Sequence, residues 1–244
     1  MDSRTIAVEA EPHGLELNTC DTAVIVVDMQ NDFGSRGGIF DRAGVDISAI
    51  QKAVGPTRAV LAAARSAGMT IVYLKMGYRP DLSDLGAQDS VNRTRHLHFG
   101  VGQDCIAPNG SKGRFLIQDT WNTDIVAELT PEPGDIVIYK HRFSGFFETN
   151  LDNVLRGLGI RTLIFTRCTT SICVDSTLRD AMFRDYRSVL LADCSAEPIG
   201  GDLPRSNHEA SLLTVKTLFG WVSDSERFLS ALKASGTPAA RTAS

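Results

Sequence analysis

TLIFTRCTTSICVDSTLRDAMFRDY, residues 162–186, reads as a strand that hands over to a helix. Leu163, Ile164 and Phe165 form the buried strand, and Thr169, Thr170 and Ser171 supply turn and N-cap chemistry. Val174, Leu178, Ala181 and Met182 then recur at helical spacing as an apolar stripe. Cys173 therefore stands near a helix N-terminus. There the positive end of the macrodipole is expected to lower the thiol pKa, and unpaired N–H groups can hold an oxyanion. The place suits a nucleophile.

The same alternation extends in both directions. Upstream, Ala23–Val27 is an apolar run of strand length ending in Asp28. Ile50–Ala67 has helical spacing and stops at Gly68, with Pro56 expected in an early turn, and Thr70–Leu74 is β-rich. After an aperiodic excursion over 75–118, the pattern predicts a helix over 121–129, a Pro-Glu-Pro-Gly turn, and a strand over 135–139 ending at Lys140. A helix over 148–158 follows and leads into the 162–186 unit. Downstream come a strand over 188–192, a helix over 206–218, a short strand within Phe219–Val222 and a helix over 224–233. Strands alternating with helices predict an α/β fold, with a mostly parallel sheet of roughly six strands covered on both faces. Residues 1–20 read as a loosely attached arm, 21–234 as the single domain, and 235–244 as a disordered tail.

The 244 residues are 43% hydrophobic and 22% charged, enough for one sizeable core. A net charge of -4 with scattered Lys and Arg excludes the usual electrostatics of a nucleic-acid partner. No apolar run approaches the roughly 18 residues of a membrane span, and the N-terminus has no signal-peptide core. Five cysteines, Cys20, Cys105, Cys168, Cys173 and Cys194, show neither disulfide-framework nor zinc spacing. A soluble cytoplasmic protein with free thiols is expected.

Asp28, Lys140 and Cys173 all fall at or just past the C-terminal ends of predicted strands. In a parallel sheet those ends share one edge, where ligands bind. A thiol needs a base, an Asp can take its proton and return it to a leaving amine, and a Lys can hold both charges in place. The motifs around the three residues are AVIVVDMQNDF (23–33), YK-HRFSGF (139–146) and TTSICV (169–174). Together they resemble the isochorismatase-like cysteine hydrolases, over about residues 20–232. The resemblance implies a three-layer α/β/α sandwich, no cofactor, a homo-oligomer (dimer or tetramer), and a small-molecule amide or ureido substrate. It implies Asp28 as general base, Lys140 as thiolate stabiliser, and the backbone N–H groups of Thr169 and Cys173 as oxyanion hole, after a cis Cys168–Thr169 bond. Within the family, KHRFSGFF (140–147), STLRD (176–180) and FGWVSD (219–224) resemble ureidoacrylate amidohydrolases, and YRPDLSDL (78–85) resembles the loop of the related biuret and triuret hydrolases. A nicotinamidase, an N-carbamoyl amino acid amidase and a catalytically silent binding protein remain alternatives. Arg167 stands where relatives commonly have Gly, and is expected to reshape the oxyanion turn.

Pocket candidates are Phe33, Tyr78, Arg79, Asn92, Trp121, Phe146 and Glu197. Asn92 can both donate to and accept from a ureido group, and Arg79 could meet a carboxylate. His96 and His98 are expected as solvent-facing loop residues. No metal site is expected, because Lys75–Pro80 lacks the Asp-x-His element of metal-binding relatives.

Overall fold

The computed structural model of the protein describes residues 4–236, apart from the side chain of Arg167. The expectation that Arg167 reshapes the oxyanion turn rests on that side chain and lies outside the described residues. The chain begins with an antiparallel hairpin, β1 (Thr5–Val8) and β2 (Leu15–Asn18). Next come β3 (Thr22–Val27), two single-turn helices α1 (Asn31–Gly34) and α2 (Ile39–Arg42), the long α3 (Ser48–Ser66) and β4 (Thr70–Met76). The excursion holds α4 (Val91–Phe99) and a small ribbon, β5 (Asp104–Ile106) with β6 (Lys112–Arg114). The series closes with β7 (Ile136–Lys140), α5 (Leu151–Gly157), β8 (Thr162–Cys168), α6 (Asp175–Met182), β9 (Arg187–Ala196), α7 (Asn207–Thr214), β10 (Trp221–Ser223) and α8 (Ser225–Gly236).

Six strands form one sheet in the order β10-β9-β8-β3-β4-β7, with every neighbouring pair parallel. The central β3 is buried along its whole length, which is why its sequence is a continuous apolar run. Its residues alternate between two cores: Val24 and Val26 pack with α3 and α8, and Ala23, Ile25 and Val27 pack with α5 and α6. This gives the expected three layers. Among the described residues no helix is long and apolar enough to cross a membrane.

Four expectations are corrected. Residues 5–18 are not a loose arm: Ile6, Val8, Leu15 and Leu17 are buried, and Glu11 exchanges two backbone hydrogen bonds with Val222 on the edge strand β10. The segment 121–129 is two separate 3-10 turns, Trp121–Thr123 and Ala127–Leu129, because Ile125 leaves the spiral and Gln30 bridges to it. Pro56 lies well inside α3 rather than in an early turn. Finally, α8 runs to Gly236, two residues into the expected tail, and the rest of that tail lies outside the described residues.

Candidate active site

The order β8-β3-β4-β7 brings the C-terminal ends of four adjacent strands to one edge, and each end delivers a side chain. Asp28 follows β3 with φ +57°, a left-handed conformation that a short acidic residue tolerates better than most and that marks functional turns. Its N–H is held by the Leu74 carbonyl at 2.8 Å. Lys140 ends β7, two strands away. It reaches across β4, its Nζ 3.5 Å from Met76 Sδ, to lie 2.8 Å from Asp28 Oδ2. Both side chains of this ion pair are fully buried. Cys173 arrives from β8 through the turn 169–174, whose first peptide bond, Cys168–Thr169, is cis.

The electrostatics differ from the helix-end expectation. Burial raises the Cys173 pKa well above that of an ordinary thiol; Lys140 opposes the rise, and the Asp28 charge and its hydrogen bond to the thiol reinforce it. The resting group is thus held in the thiol form beside the Asp28 carboxylate. Lys140 is also raised: desolvation alone would lower it, but the Asp28 charge, the neighbouring sulfur and their hydrogen bonds keep it a cation. The macrodipole effect predicted for the thiol is outweighed by burial, because Cys173 is only 7% exposed and sits in a tight irregular turn before α6 begins.

The turn is braced from two sides. On one, Thr177 Oγ1 donates to the Cys173 carbonyl (2.6 Å) and accepts from the Gly145 N–H (3.0 Å). A Cβ on Gly145 would lie 2.4 Å from Leu74 Cδ1, so the Phe-Ser-Gly-Phe motif needs glycine for close approach. Ser144 Oγ donates to Asp180 on α6. On the other side stands Glu197, buried just past β9. Its Oε2 accepts from the N–H (2.7 Å) and hydroxyl (2.5 Å) of Ser171, and its Oε1 accepts from the Ile199 N–H (3.0 Å).

A cavity of about 540 Å³ opens in front of Cys173. Phe33 and Thr169 line it as expected. The other pocket candidates do not. Tyr78 is fully buried behind the wall, edge-on to His96, and its hydroxyl receives the Asn92 Nδ2 hydrogen bond. Asn92 also donates to the Leu85 carbonyl at 2.9 Å, so it anchors α4 rather than facing a ligand. Arg79 is exposed, with its N–H turned to Asp84. Trp121 lines a different surface pocket with Lys75 and Asn31. Phe146 stacks on Tyr186 beneath the sheet, and Glu197 is the brace just described.

The cavity walls come instead from residues that the sequence did not single out as pocket candidates. Phe40, Phe99, Phe143, Ile172 and Ile199 line it, and so do His96 and His98. The two histidines sit on α4, not on a loop, so their i, i+2 spacing does not align them as it would on a strand. Their Arg-His-Leu-His-Phe run (95–99) had no apolar periodicity to mark it. Among the described residues no group of three or more His, Cys, Asp or Glu could hold a metal ion.

A family model for the isochorismatase domain covers residues 22–227. The ureidoacrylate amidohydrolase RutB of Cronobacter sakazakii is 41% identical over 93% of the chain and 95% of its own length. The enzyme of the same name from Variovorax paradoxus is also 41% identical, over 90% of the chain and 84% of its own length. Among solved structures, a cysteine hydrolase from Pseudomonas syringae pv. phaseolicola superposes with a TM-score of 0.76 at 29% identity, covering 90% of the chain and 95% of its own. An N-carbamoylsarcosine amidase from Thermoplasma acidophilum superposes with a TM-score of 0.62 at 28% identity, covering 84% of the chain and 97% of its own.

Proposed function

The chain belongs to the isochorismatase family, and we propose that it is a cysteine-dependent amidohydrolase cleaving a C–N bond of a small ureido compound, as the names of its ureidoacrylate-cleaving relatives suggest. The observation that carries this reading is the buried trio at one sheet edge: the Cys173 thiol coupled electrostatically to Asp28, which is paired with the Lys140 cation at 2.8 Å. A structural thiol would need neither partner.

Each group has a step. As Cys173 Sγ bonds to the ureido carbonyl carbon, its proton passes to Asp28 and the C=O π pair moves to oxygen. The N–H groups of Thr169 and Cys173 receive that oxyanion, and Lys140 keeps Asp28 and the sulfur aligned. Collapse breaks the C–N bond, with Asp28 returning the proton to the departing nitrogen. Water, deprotonated by Asp28, then cleaves the acyl- or carbamoyl-Cys173, and a carbamic product decays to ammonia and carbon dioxide.

Cys173→Ala is expected to lower ammonia release from ureidoacrylate by on the order of 10³-fold or more while the folded protein still binds substrate. Undiminished release by this variant refutes the nucleophile and favours a silent binding protein. The reading extends to a cytoplasmic homo-oligomer. No disulfide joins the five cysteines among the described residues, and Phe183 and Leu218 expose 67% and 68% of their surface, as an interface between copies would require. Light scattering on the purified protein tests the assembly: a monomer mass rejects it.

A further inference from the structure

The cavity before Cys173 is walled by rings rather than by polar groups. One wall is a continuous aromatic run, with the Phe33 and Phe40 centroids 4.7 Å apart and those of Phe40 and Phe99 5.9 Å apart. The other wall is His96 against Phe143, at 5.6 Å. His96 belongs with the rings. Its Nδ1 lies 2.6 Å from the Asn92 carbonyl, which only accepts, so Nδ1 carries the proton. Burial and the Arg142 and Lys140 charges hold its pKa below the ordinary histidine value, so it is neutral at pH 7. Arg95 carries the one permanent charge among the described lining residues, and no ion pair engages it there. Among the described residues no carboxylate lines the cavity.

A bare ureido acid of acrylate size fits these walls poorly. It would lose hydration to aromatic faces and leave most of the 540 Å³ without contact. A flat hydrocarbon body between two ring walls recovers that surface, and edge and face contacts favour an aromatic one. We propose that the preferred substrate is an aromatic ureido acid, with its ureido carbonyl at Cys173, a phenyl-sized ring between the Phe33–Phe40–Phe99 and His96–Phe143 walls, and its carboxylate at Arg95. This rests on the amidohydrolase reading of Cys173 and narrows it. The bonds made and broken are those already described, the nitrogen that leaves being either end of the ureido group.

The test compares N-carbamoyl-phenylalanine with N-carbamoyl-alanine, which share the ureido and carboxylate groups and differ by one ring, alongside ureidoacrylate. Ammonia release is read in the wild type and in Cys173→Ala. The ring-bearing compound is expected to have a kcat/KM about 10- to 100-fold higher than its ring-less partner, the factor that burial of an apolar ring supplies. Phe99→Ala and Phe143→Ala should each pull that ratio toward one, and Arg95→Gln should lower kcat/KM on both acids by about tenfold. A wild-type ratio of one or less overturns the inference, while Cys173-dependent turnover of ureidoacrylate still upholds the parent reading. Absence of Cys173-dependent release from all three compounds overturns both.

Discussion

At the residue scale, Lys140 is the side chain that most needs its partner. It is fully buried, and its cation is tolerated only because Asp28 lies 2.8 Å away. Lys140→Met leaves the Asp28 charge buried and unpaired, which costs about 3–5 kcal/mol of stability. Turnover falls as well, by about 10²–10⁴-fold, because nothing then holds the carboxylate and sulfur in register. The double variant Asp28→Asn/Lys140→Met removes both charges; urea unfolding should show most of the lost stability recovered, and ammonia release should stay absent. Equal destabilisation of single and double variants would show that the pair is not the source. The residue types of this trio were legible from strand ends alone. Their protonation was not, because the sequence displays the helix-end position of Cys173 but not the burial that outweighs it.

At the scale of elements, what was hidden in the sequence is what tertiary contacts supply. Helix α4 has no buried residue and no apolar stripe. It is held by the Ser90 cap, by Gly100 at φ +105°, and by the Asn92 tether to Leu85. The β1–β2 hairpin did carry a signal, the period-two burial of Ile6, Val8, Leu15 and Leu17, but in strands too short to stand out. Burial of four such side chains contributes about 6–12 kcal/mol as an upper bound, comparable with the net stability of a whole domain. Deleting residues 4–18 also bares the β10 edge. The truncated chain is therefore expected to unfold or aggregate at 25 °C, as judged by circular dichroism and sedimentation; a soluble, cooperatively melting product would contradict this. The turn 169–173 offers a subtler case. Glu197 ties Ser171, two residues before the nucleophile, to the cavity-wall residue Ile199. Glu197→Ala should lower kcat about 10- to 100-fold with little change in KM, and Glu197→Gln should restore part of it. A change confined to the melting temperature would reduce Glu197 to ordinary packing.

For the molecule as a whole, strand order was the part that no residue reading supplied. Alternation of period-two and helical segments announces a parallel sheet, but only the fold shows that β8, β3, β4 and β7 are neighbours in that order. That order brings Asp28 together with Lys140 and Cys173, both more than a hundred positions further along the chain. It also buries the thiol, which makes the stability of the entire domain respond to alkali. In the unfolded chain Cys173 ionises near pH 8.5, whereas in the native state burial keeps it protonated well beyond that. Between those values the native state binds more protons than the unfolded state, so stability falls as pH rises, by about 1.4 kcal/mol per unit for this one group. Lys140 adds nothing to the slope at this point: its raised pKa stabilises the native state fully below the ordinary lysine value near 10.4, and that contribution is lost only as pH climbs beyond it. Cys173→Ser removes the thiol titration and keeps a hydrogen-bonding group beside Asp28. Between pH 8.5 and 9.5 the urea midpoint of the wild type should therefore decline more steeply than that of Cys173→Ser, and the two curves should run parallel below pH 7.5. Parallel curves throughout would mean that Cys173 titrates alike in both states, and that burial in the native site does not raise its pKa.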